Sequence, residues 1–530
     1  MNAHKRSLLV RLLLAGASIF LTQLPGAALA QDKPVSGGTL NMLVQPEPPS
    51  LMLGLNQLGP TQFAASKIYQ SLLRYGPDLK PLPSLATSWT ISPDNLTYTF
   101  VLQKNVKWHD GKPFSSADVV FSADKFLRET HPRLRALMNQ RVESVKADGD
   151  DKVVFRLKEP FNPFIYAFEV STMPIVPKHI YDGTDYRTNP ANNTPIGTGP
   201  FKLKEWKRGS YIHLVKNPDY YKPGLPYLDE IYLRVIPDAA SRAVAFERGT
   251  VDVLRGGDVE NFEVRRLQKL PDVGVTTAGW EMFSPNLWLQ MNLRKPPFDK
   301  KEVRQAIMYA MDRNFVLKNI FFNVGKVATG PIASTTLYYD KNVPSYNYDM
   351  VKAKKMLADA GVKPGDYTIK VLPIPYGSVW DRLGEYTKQQ LEQLGFKVTI
   401  EATDPAGWSK KVSDFDFDLT MNFLYQYADP AIGVTRNYVS TNIIKGTPFG
   451  NNHGYNNPEV DRLLGAAPLL KSADARQRMY SEAQRILVDD VAVGYLIEMQ
   501  YATLYRNKVH NLVTTGIGLN ESLDNVWISK

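Results

Sequence analysis

One stretch of the sequence, residues 367–402, limits the fold more than any other. "YTIKVLPI" predicts a strand, the segment from Ser378 to Leu394 predicts a helix that ends at Gly395, and "FKVTIEA" predicts a second strand. A helix between two strands forms a βαβ unit, in which the two strands are parallel. The second half of the chain is therefore predicted to have an α/β fold built on a parallel sheet.

The rest of the second half also predicts well-defined elements. Apolar residues at helical spacing predict a helix over 301–313. Asp349 is expected to begin a further helix that Gly361 closes, and Ser472 is expected to cap another. The segment 493–506 is predicted to be extended.

The first third of the chain mixes strands and helices. Two β-favouring runs surround Pro93-Asp94-Asn95 and predict a hairpin. Ser115 or Ser116 is expected to cap a helix. The other predicted elements are a strand over 37–45 and a helix over 61–73.

Residues 1–30 are predicted to be a cleavable signal peptide. A basic start precedes an apolar run over 12–21, and Ala28-Leu29-Ala30 forms a small-x-small cleavage site. A membrane-spanning helix needs about 20 apolar residues, so this run is too short to be one. The sequence has no cysteine and thus no lipid-carrying cysteine at the cleavage site. A periplasmic location without a lipid anchor is therefore expected.

The length and net charge of the chain limit the number of domains and the classes of partner to be expected. Removing the signal peptide leaves about 500 residues, enough for roughly two to four domains. The formal charge of +10 falls to +7 without Lys5, Arg6 and Arg11. The remaining basic residues are scattered, which favours a solvated surface over a nucleic-acid footprint. No nucleic-acid partner is expected.

No catalytic or metal-binding motif stands out in the sequence. The seven histidines lack metal-ligand spacing, and G-x-S-x-G, the phosphate loop and G-x-G-x-x-G are absent. "DFDFD" (414–418) would place three carboxylates on one face of a strand, as in a glycosidase pair, but a surface position at a strand start is favoured. The sequence therefore predicts no metal, no cofactor and no enzymatic activity.

His109 and Asp110 lie in "HDG", a tripeptide that could suggest an active site. It follows a β-run and precedes the helix expected at Ser115 or Ser116. Gly111 is free to adopt a positive φ, and Asp110 can bond to the backbone of the turn. A structural turn is the favoured interpretation.

Three blocks of sequence, at 85–126, 197–238 and 289–313, resemble the signature blocks of the extracellular solute-binding protein family 5. This family comprises the peptide- and nickel-type binding components of ABC importers. The resemblance runs in order from about Gly38 to Leu512, over nearly the whole mature chain. In that family the His-Asp-Gly turn belongs to an accessory domain without catalytic function.

The resemblance implies a two-lobed periplasmic binding protein of type II, in the large cluster with an extra accessory subdomain. Lobe I is expected over 31–278 plus 495–530, with the accessory subdomain at about 82–195, and lobe II over 279–494. Crossing strands would form the hinge, and a solute would lie in the cleft between the lobes. The implied partners are a small solute, most often a short peptide, and a membrane permease, and the protein is expected to act as a monomer.

The family's main ligand segment matches "FDLTMNFLYQYADP" (417–430). Peptide binders carry an aspartate shortly before the proline that pairs with the α-amino group, and here that place falls on Gln426 or Tyr427. Asp429 adjoins the proline instead. The ligand is then either a peptide whose amine pairs with Asp429 or another acid, or a non-peptide solute such as an oligosaccharide or an opine-like conjugate bound by Gln426 and tyrosine hydroxyls.

Further ligand candidates follow from the same resemblance. Trp408 matches an aromatic residue that lines the family's cleft, and Phe423 or Tyr425 occupies the aromatic place before the aspartate position. In lobe I, the loop that contains Asn56 and Gln57 falls where the family approaches the ligand backbone. For each of these residues a core or turn position is the competing interpretation. A secreted hydrolase and a periplasmic chaperone are the competing functions, and neither has a motif in its favour.

Overall fold

The computed structural model describes residues 33–131, 133–447 and 449–529, so the predicted signal peptide lies outside the described residues. Residues 35–530 form one compact unit, as judged from contacts between their Cα atoms. In the described part of the chain the strands are β1 (Thr39–Leu43), β2 (Leu73–Tyr75), β3 (Pro81–Pro83), β4 (Ala86–Ile91), β5 (Thr97–Leu102), β6 (Val142–Ala147), β7 (Lys152–Leu157), β8 (Phe201–Lys207), β9 (Tyr211–Lys216), β10 (Glu230–Arg234), β11 (Val253–Leu254), β12 (Val273–Thr276), β13 (Asn286–Met291), β14 (Gly325–Val327), β15 (Thr368–Leu372), β16 (Lys397–Ile400), β17 (Leu419–Leu424), β18 (Gly494–Met499), β19 (Thr503–Arg506), β20 (Val509–His510) and β21 (Trp527–Ile528).

The helices of the same residues lie between and around these strands. The α-helices are α1 (Gly59–Ala65), α2 (Ser116–Val120), α3 (Leu127–Thr130), α4 (Leu134–Arg141), α5 (Lys178–Tyr181), α6 (Ala239–Glu247), α7 (Asn261–Leu267), α8 (Lys301–Ala310), α9 (Arg313–Phe315), α10 (Met350–Asp359), α11 (Ser378–Gln393), α12 (Pro405–Ser413), α13 (Pro430–Gly433), α14 (Pro458–Ala466) and α15 (Ala473–Asp489). Phe121–Phe126 and Val316–Ile320 are π-helical, and Asn162–Phe168, Pro190–Asn192, Pro364–Asp366, Thr435–Asn437, Ser440–Asn442, Ala467–Leu469 and Gly518–Asn520 are 3₁₀-helical.

A seven-stranded mixed sheet, in the order β12-β19-β11-β1-β10-β9-β8, has β1 near its centre. β1 pairs in parallel with β10 and β11, and the other neighbours are antiparallel. Leu40 and Met42 pack in one core, whereas Leu43 packs with Phe246 and Leu504 in another. Because successive side chains of a strand point to opposite faces, this sheet is covered on both sides.

A six-stranded sheet follows the order β14-β18-β13-β17-β15-β16. Every residue of β13 and β18 is buried, as expected for strands covered on both faces. β15 and β16 are parallel and joined through α11, so the predicted βαβ unit is confirmed. Caps are also confirmed, since Asp349 accepts a hydrogen bond from the Lys352 N–H and Ser472 accepts one from Ala475.

A four-stranded antiparallel sheet, β4-β5-β7-β6, lies within residues 86–157. The predicted hairpin is confirmed, because β4 and β5 are antiparallel and Asn95 between them has a φ of 60°. Ser115 caps α2 through a capping box with Asp118. The chain then passes through the π-helical turn before α3.

The chain crosses between the seven- and six-stranded sheets twice. One crossing joins β12 to β13, and the other joins β18 to β19 over residues 500–502. The prediction that 493–506 is extended is confirmed by β18 and β19, but these two strands pair in different sheets. Trp280 of the first crossing and Tyr501 of the second have ring centroids 4.6 Å apart, so the two crossings lie side by side.

The helix predicted over 61–73 was too long, since α1 ends at Ala65. The carbonyl groups of Lys67 and Ile68 accept hydrogen bonds from Phe201 and Gly199 N–H groups, at 3.2 and 2.8 Å. A Cβ atom on Gly199 would lie 2.5 Å from the Ile68 oxygen, so only glycine permits this approach. Tertiary hydrogen bonds thus end the helix where the local sequence would continue it.

The "HDG" tripeptide forms a structural turn, as predicted. Gly111 has a φ of 86°, and the Asp110 carboxylate accepts a hydrogen bond from the Lys112 N–H at 3.2 Å. The ring of His109 is buried, with Nε2 3.0 Å from the Gly199 carbonyl oxygen and Nδ1 3.3 Å from the Gly197 nitrogen. His109 therefore joins the turn to residues 197–199, whose Gly199 N–H bonds to the Ile68 carbonyl just after α1.

We expect His109 to make stability pH-dependent, because burial lowers its pKa from 6.5 to about 4. Between these values the unfolded chain binds a proton that the folded chain does not. The stabilisation is therefore present above about pH 6.5 and is lost as the pH falls towards 4, with a slope of up to about 1.4 kcal/mol per pH unit. Urea unfolding at several pH values should give a flatter profile for His109→Gln, and identical slopes would contradict this expectation.

Candidate functional site

Phe423 near the end of β17 and two tyrosines that follow the strand form an aromatic wall. Phe423, Tyr425 and Tyr427 alternate along an extended segment, with neighbouring ring centroids 6.2 and 6.1 Å apart and rings nearly perpendicular. Tyr427 and Ala428 then have φ values of 51° and 64°, which turn the chain sharply into α13. Alternation on a strand places the three rings on one face, so the sequence itself builds this wall.

Three cavities adjoin the wall, and they share its residues. The first cavity, of about 250 Å³, is lined by Ile374, Tyr376, Trp408, Asn422, Phe423, Leu424, Tyr425, Tyr427, Arg436 and Phe449. The second cavity, of about 230 Å³, is lined by Gln57, Gly59, Gln62, Arg255, Gly256, Trp280, Phe283, Tyr425, Tyr427, Tyr501 and Asn520. The third cavity, of about 270 Å³, is lined by Ala239, Arg242, Gly257, Val259, Glu260, Asn261, Phe321, Tyr376, Ser378, Val379, Trp380, Phe423, Met499, Gln500 and Tyr501.

The second and third cavities combine residues of the crossings with residues that lie in or next to elements on both sides of them. Phe283, from the first crossing, packs against Tyr425 and Tyr427 at centroid distances of 5.5 and 6.2 Å. Trp380 at the start of α11 stacks on Phe423, with centroids 5.4 Å apart. The cavities therefore lie where the two halves of the protein meet, which is the predicted place of a cleft.

Trp408 lines the first cavity although only 2 % of its surface is exposed. Its indole N–H donates a hydrogen bond to the Thr420 hydroxyl at 3.0 Å, which fixes the ring against β17. The aromatic residues predicted for the site, Trp408, Phe423 and Tyr425, are thus brought together with Tyr427 around one cavity. Their contact with a ligand stays a prediction.

Of the two lobe I candidates, only Gln57 lines a cavity. Its side-chain oxygen accepts a hydrogen bond from Arg133 Nη2 at 3.0 Å, and its amide donates to the Leu53 carbonyl at 2.6 Å. Asn56 instead accepts from the Leu58 N–H at 2.8 Å, immediately before α1. Asn56 is therefore a turn residue in this structure.

Gln426 and Asp429 lie outside all three cavities, so the expectation that either binds the ligand is not supported. Gln426 is buried, where it accepts from the Ala333 N–H at 3.0 Å and donates to the Pro331 carbonyl at 2.9 Å. Since strand alternation turns the Tyr425 and Tyr427 rings towards the cavities, it turns Gln426 away from them. Its amide oxygen and one amide N–H hold the neighbouring loop.

Asp429 forms a buried ion pair. It caps α13 through the Ala431 N–H, and its other oxygen lies 2.7 Å from Arg476 Nη2. Burial raises the pKa of Asp429, while the attraction of Arg476 opposes that rise. A carboxylate held in this way has no free oxygen for a ligand amine.

The sequence analysis missed the arginine residues and several aromatic residues of the cavities. Arg436 follows α13, and burial lowers its pKa. Arg255 lines the second cavity, and Phe283, Tyr376 and Tyr501 come from the crossings or from the loop after β15. The breaks between strands near 280, 376 and 501 were the available signal, because such connections line clefts between sheets.

The "DFDFD" carboxylates do not form a catalytic pair. Asp414, Asp416 and Asp418 each lie within 3.0 Å of a lysine nitrogen, from Lys410, Lys411 and Lys295 respectively. Phe415 has a φ of 65°, so the carboxylates precede β17 rather than sharing a face of it. They are part of the surface, as favoured from the sequence.

The described residues offer neither a metal-ligand cluster nor a membrane-spanning helix. They contain no group of three or more His, Cys, Asp or Glu side chains suited to a metal ion. None of the helices among them has the length and apolar character to cross a membrane.

Comparison with known proteins decides the family. The model of the "Bacterial extracellular solute-binding proteins, family 5 Middle" matches residues 80–445. The chain belongs to this family. The chain is thus a substrate-binding component of an ABC importer of the peptide/nickel type, and its fold is that of the two-lobed periplasmic binding proteins.

Individual family 5 relatives agree with this assignment. The "Probable D,D-dipeptide-binding periplasmic protein DdpA" of Escherichia coli K12 is 30 % identical over 84 % of this chain and 85 % of its own. The DppA structure from Helicobacter pylori "in complex with peptide STSA" has a TM-score of 0.79 at 27 % identity, covering 94 % of this chain and 99 % of that one. AgaA of A. tumefaciens R10 "in complex with agropinic acid" has a TM-score of 0.77 at 26 % identity, covering 93 % and 99 %.

Proposed function

We propose that this family 5 protein captures a short peptide in the three adjoining cavities and delivers it to a membrane permease. The aromatic wall of Phe423, Tyr425 and Tyr427 carries the proposal, because all three cavities open onto it. Aromatic faces suit peptide planes and apolar side chains alike. A micromolar solute needs only about 8 kcal/mol, which a few such contacts and backbone hydrogen bonds supply.

Capture proceeds by closure of two lobes, with lobe I over 31–278 plus 495–530 and lobe II over 279–494. The two large sheets and the paired crossings near Trp280 and Tyr501 support two lobes, but β18 (Gly494–Met499) pairs in the six-stranded sheet, so we place the second boundary at residues 500–502. Ligand shifts the population to the closed form only in so far as it contacts both lobes better there. The second cavity is lined from both lobes, by Gln57 and Arg255 of lobe I and by Tyr425 of lobe II, so a ligand in it would contact both.

The remaining parts of the proposal concern where and how the protein works. It is exported through a signal peptide over 1–30, stays in the periplasm without a lipid anchor, and binds its permease as a monomer. It performs no chemical step on the solute. The pairing of the "DFDFD" carboxylates with lysines supports this last point against the hydrolase alternative.

A peptide's free α-amino group pairs with Glu260 in this proposal. Glu260 lines the third cavity, and one of its oxygens accepts a hydrogen bond from the Ser378 hydroxyl at 3.1 Å. Asp429 is not available for this function because Arg476 holds it. Glu260 is thus the "other acid" that the sequence analysis left open.

A non-peptide solute is the second candidate, and one observation favours it. Neither the first nor the second cavity is lined by an aspartate or glutamate among the described residues. A ligand without an ammonium group, such as an opine-like conjugate, needs none. The related AgaA, whose structure holds agropinic acid, supports this alternative.

Native mass spectrometry of protein isolated gently from periplasm tests the proposal. We expect a ladder of peptide masses released from the folded protein, because a closed cleft retains its solute. A single non-peptide mass would favour the second candidate. Protein with no retained solute should be titrated with free and N-acetylated tripeptides, and equal affinities for the two would remove the amine-pairing function of Glu260.

A further inference from the structure

We infer that the accessory subdomain forms a clasp on lobe II, outside the cleft, and that this clasp raises the fraction of ligand-free protein that is closed. The clasp consists of Pro93, Asn95 and Asn162 of the accessory subdomain and of residues 467–471 of lobe II. The inference rests on the proposed function, since it takes lobes I and II as the parts that close on a solute. No clasp residue lines any of the three cavities, so the clasp acts without touching the solute.

Asn162 makes the main contact of the clasp. It begins the 3₁₀-helical turn Asn162–Phe168, and its side-chain amide donates hydrogen bonds to the Leu470 carbonyl and, at 3.4 Å, to the Pro468 carbonyl. Both carbonyls belong to the end of the turn Ala467–Leu469 that continues α14, and the last C=O groups of a helix receive no donor from the helix itself. Asn162 thus supplies, from lobe I, a donor for the carbonyl end of a lobe II helix.

The hairpin of β4 and β5 fixes the orientation of the Asn162 amide. The amide oxygen accepts a hydrogen bond from Asn95 Nδ2 at 2.8 Å, and Asn95 lies in the hairpin turn with a φ of 60°. The Tyr98 hydroxyl donates to the carbonyl of the preceding residue, Phe161, at 3.3 Å. Because the oxygen and the nitrogen of the amide are both engaged, its N–H groups are held towards lobe II.

Lys471 makes the second contact, and here the donor comes from lobe II. Its Nζ donates to the Pro93 carbonyl, beside the hairpin turn, at 2.6 Å. No carboxylate oxygen of the described residues lies within 4.0 Å of this nitrogen, so the ammonium group is bound to the backbone of the other lobe and not to an acid. Ser472, the next residue, caps α15. Both contacts therefore hold the connection between α14 and α15.

Below these contacts, the same two segments approach each other in the protein interior. Tyr166 belongs to the turn that Asn162 begins, and Arg476 lies in the first turn of α15. Burial raises the pKa of the Tyr166 hydroxyl, and the Asp429 carboxylate, which pairs with Arg476, raises it further. The turn of lobe I thus faces the start of α15 both at the surface and beneath it.

The contacts of the clasp are weak enough to form and break repeatedly. All are hydrogen bonds of partly buried or exposed groups, without an ion pair. One such hydrogen bond changes an equilibrium by roughly 2- to 12-fold. Contacts that form only when the lobes meet multiply the ratio of closed to open protein by factors of this size, with or without solute. Bound solute then dissociates more slowly, because the lobes must part before it leaves.

Single-molecule energy transfer in the ligand-free protein tests the clasp. The sequence has no cysteine, so Lys146→Cys in the accessory subdomain and Lys354→Cys in lobe II, both at exposed positions, provide the two labelling sites. We expect Asn162→Asp to lower the ratio of closed to open molecules by about 3- to 30-fold, because it keeps the acceptor for Asn95 but puts an acceptor in place of the donor to lobe II. Lys471→Met should lower the ratio less, and the double variant should lower it more than either change alone.

Asn139→Asp is the matched control. Asn139 is exposed in the same subdomain, and its side-chain oxygen accepts from Arg128 of that subdomain at 3.4 Å, so this change should leave the ratio as it is in the wild type. Circular dichroism shows whether each variant folds. If Asn162→Asp does not fold, the surface variant Lys471→Met decides.

A pool of tri- to pentapeptides, followed by stopped-flow dissociation, separates the clasp from peptide capture. Peptides that bind should leave the Asn162→Asp variant faster than the wild type by the factor seen in the closed-to-open ratio. Equal ratios in the wild type and in every clasp variant would overturn the clasp and leave peptide capture standing. A lowered ratio in a protein that binds no peptide of the pool would overturn peptide capture and support the clasp.

Discussion

Asp429→Asn should lower the free energy of unfolding of the ligand-free protein by about 3–5 kcal/mol, the usual effect of removing one partner from a buried ion pair. Asp429 is fully buried, Arg476 is 6 % exposed, and their atoms lie 2.7 Å apart. Asparagine keeps the size of the side chain and the cap of α13, since it also accepts from the Ala431 N–H. The loss therefore reports the unpaired guanidinium of Arg476.

Two further variants complete a double-mutant cycle for the Asp429–Arg476 ion pair. Arg476→Met should also destabilise, but the double variant Asp429→Asn/Arg476→Met should lose less than the sum of the single effects, because no charge is left unpaired. Asp414→Asn is the control, since its exposed i,i+4 contact with Lys410 should contribute little. Urea unfolding measures the stability of the four variants and of the wild type. An Asp429→Asn variant of wild-type stability that no longer binds its solute would return Asp429 to the ligand site.

Tyr425→Ala should weaken solute binding by about 2–4 kcal/mol, or roughly 30- to 1000-fold in Kd, as expected for a central aromatic residue of a binding site. Tyr425 lines both the first and the second cavity. Its ring packs against Phe283, Phe423 and Tyr427 at 5.5, 6.2 and 6.1 Å. Removing it joins the two cavities and leaves the neighbouring rings without support.

Tyr425→Phe separates the ring from its hydroxyl group and should keep most of the affinity if the aromatic face is what binds. Tyr348→Ala is the matched control, because Tyr348 is 47 % exposed and lines none of the three cavities. Calorimetry with the solute released from the wild-type protein measures each Kd. Unchanged affinity in Tyr425→Ala would place the solute elsewhere.

The ligand segment shows how far the sequence analysis could go. The resemblance named Phe423 or Tyr425 as an aromatic ligand candidate, and the structure brings both rings together with Tyr427 around one cavity. The alternation of the three residues is visible in the sequence but did not enter the prediction. The same alternation should have placed Gln426 on the opposite side. Its hydrogen bonds to the 331–333 loop, from a residue nearly a hundred positions away, could not be inferred from the segment alone.

Asn56 and Gln57, the two candidates in the loop 54–59, differ in their structural roles for a similar reason. Asn56 closes a local turn, which is a property that its own neighbours decide. Gln57 orients Arg133, which is 76 positions away, and through it the face of Tyr427. A local pattern cannot contain that contact, so the two side chains looked equivalent.

The sequence by itself determined the elements whose signals are local. These are the βαβ unit of β15, α11 and β16, the caps at Ser115, Asp349 and Ser472, and the tight turn at Gly111, because periodicity, caps and positive-φ glycines act over a few residues. The three sequence blocks also determined the family.

The tertiary structure alone decided where α1 ends, how 493–506 divides between two sheets, and which side chains face the cleft. Each of these depends on partners distant in sequence, such as the Gly199 N–H for Ile68 and Arg476 for Asp429. A buried hydrogen bond or ion pair outweighs the weak local preference of the chain, and its partner becomes known only when the sheets are assembled.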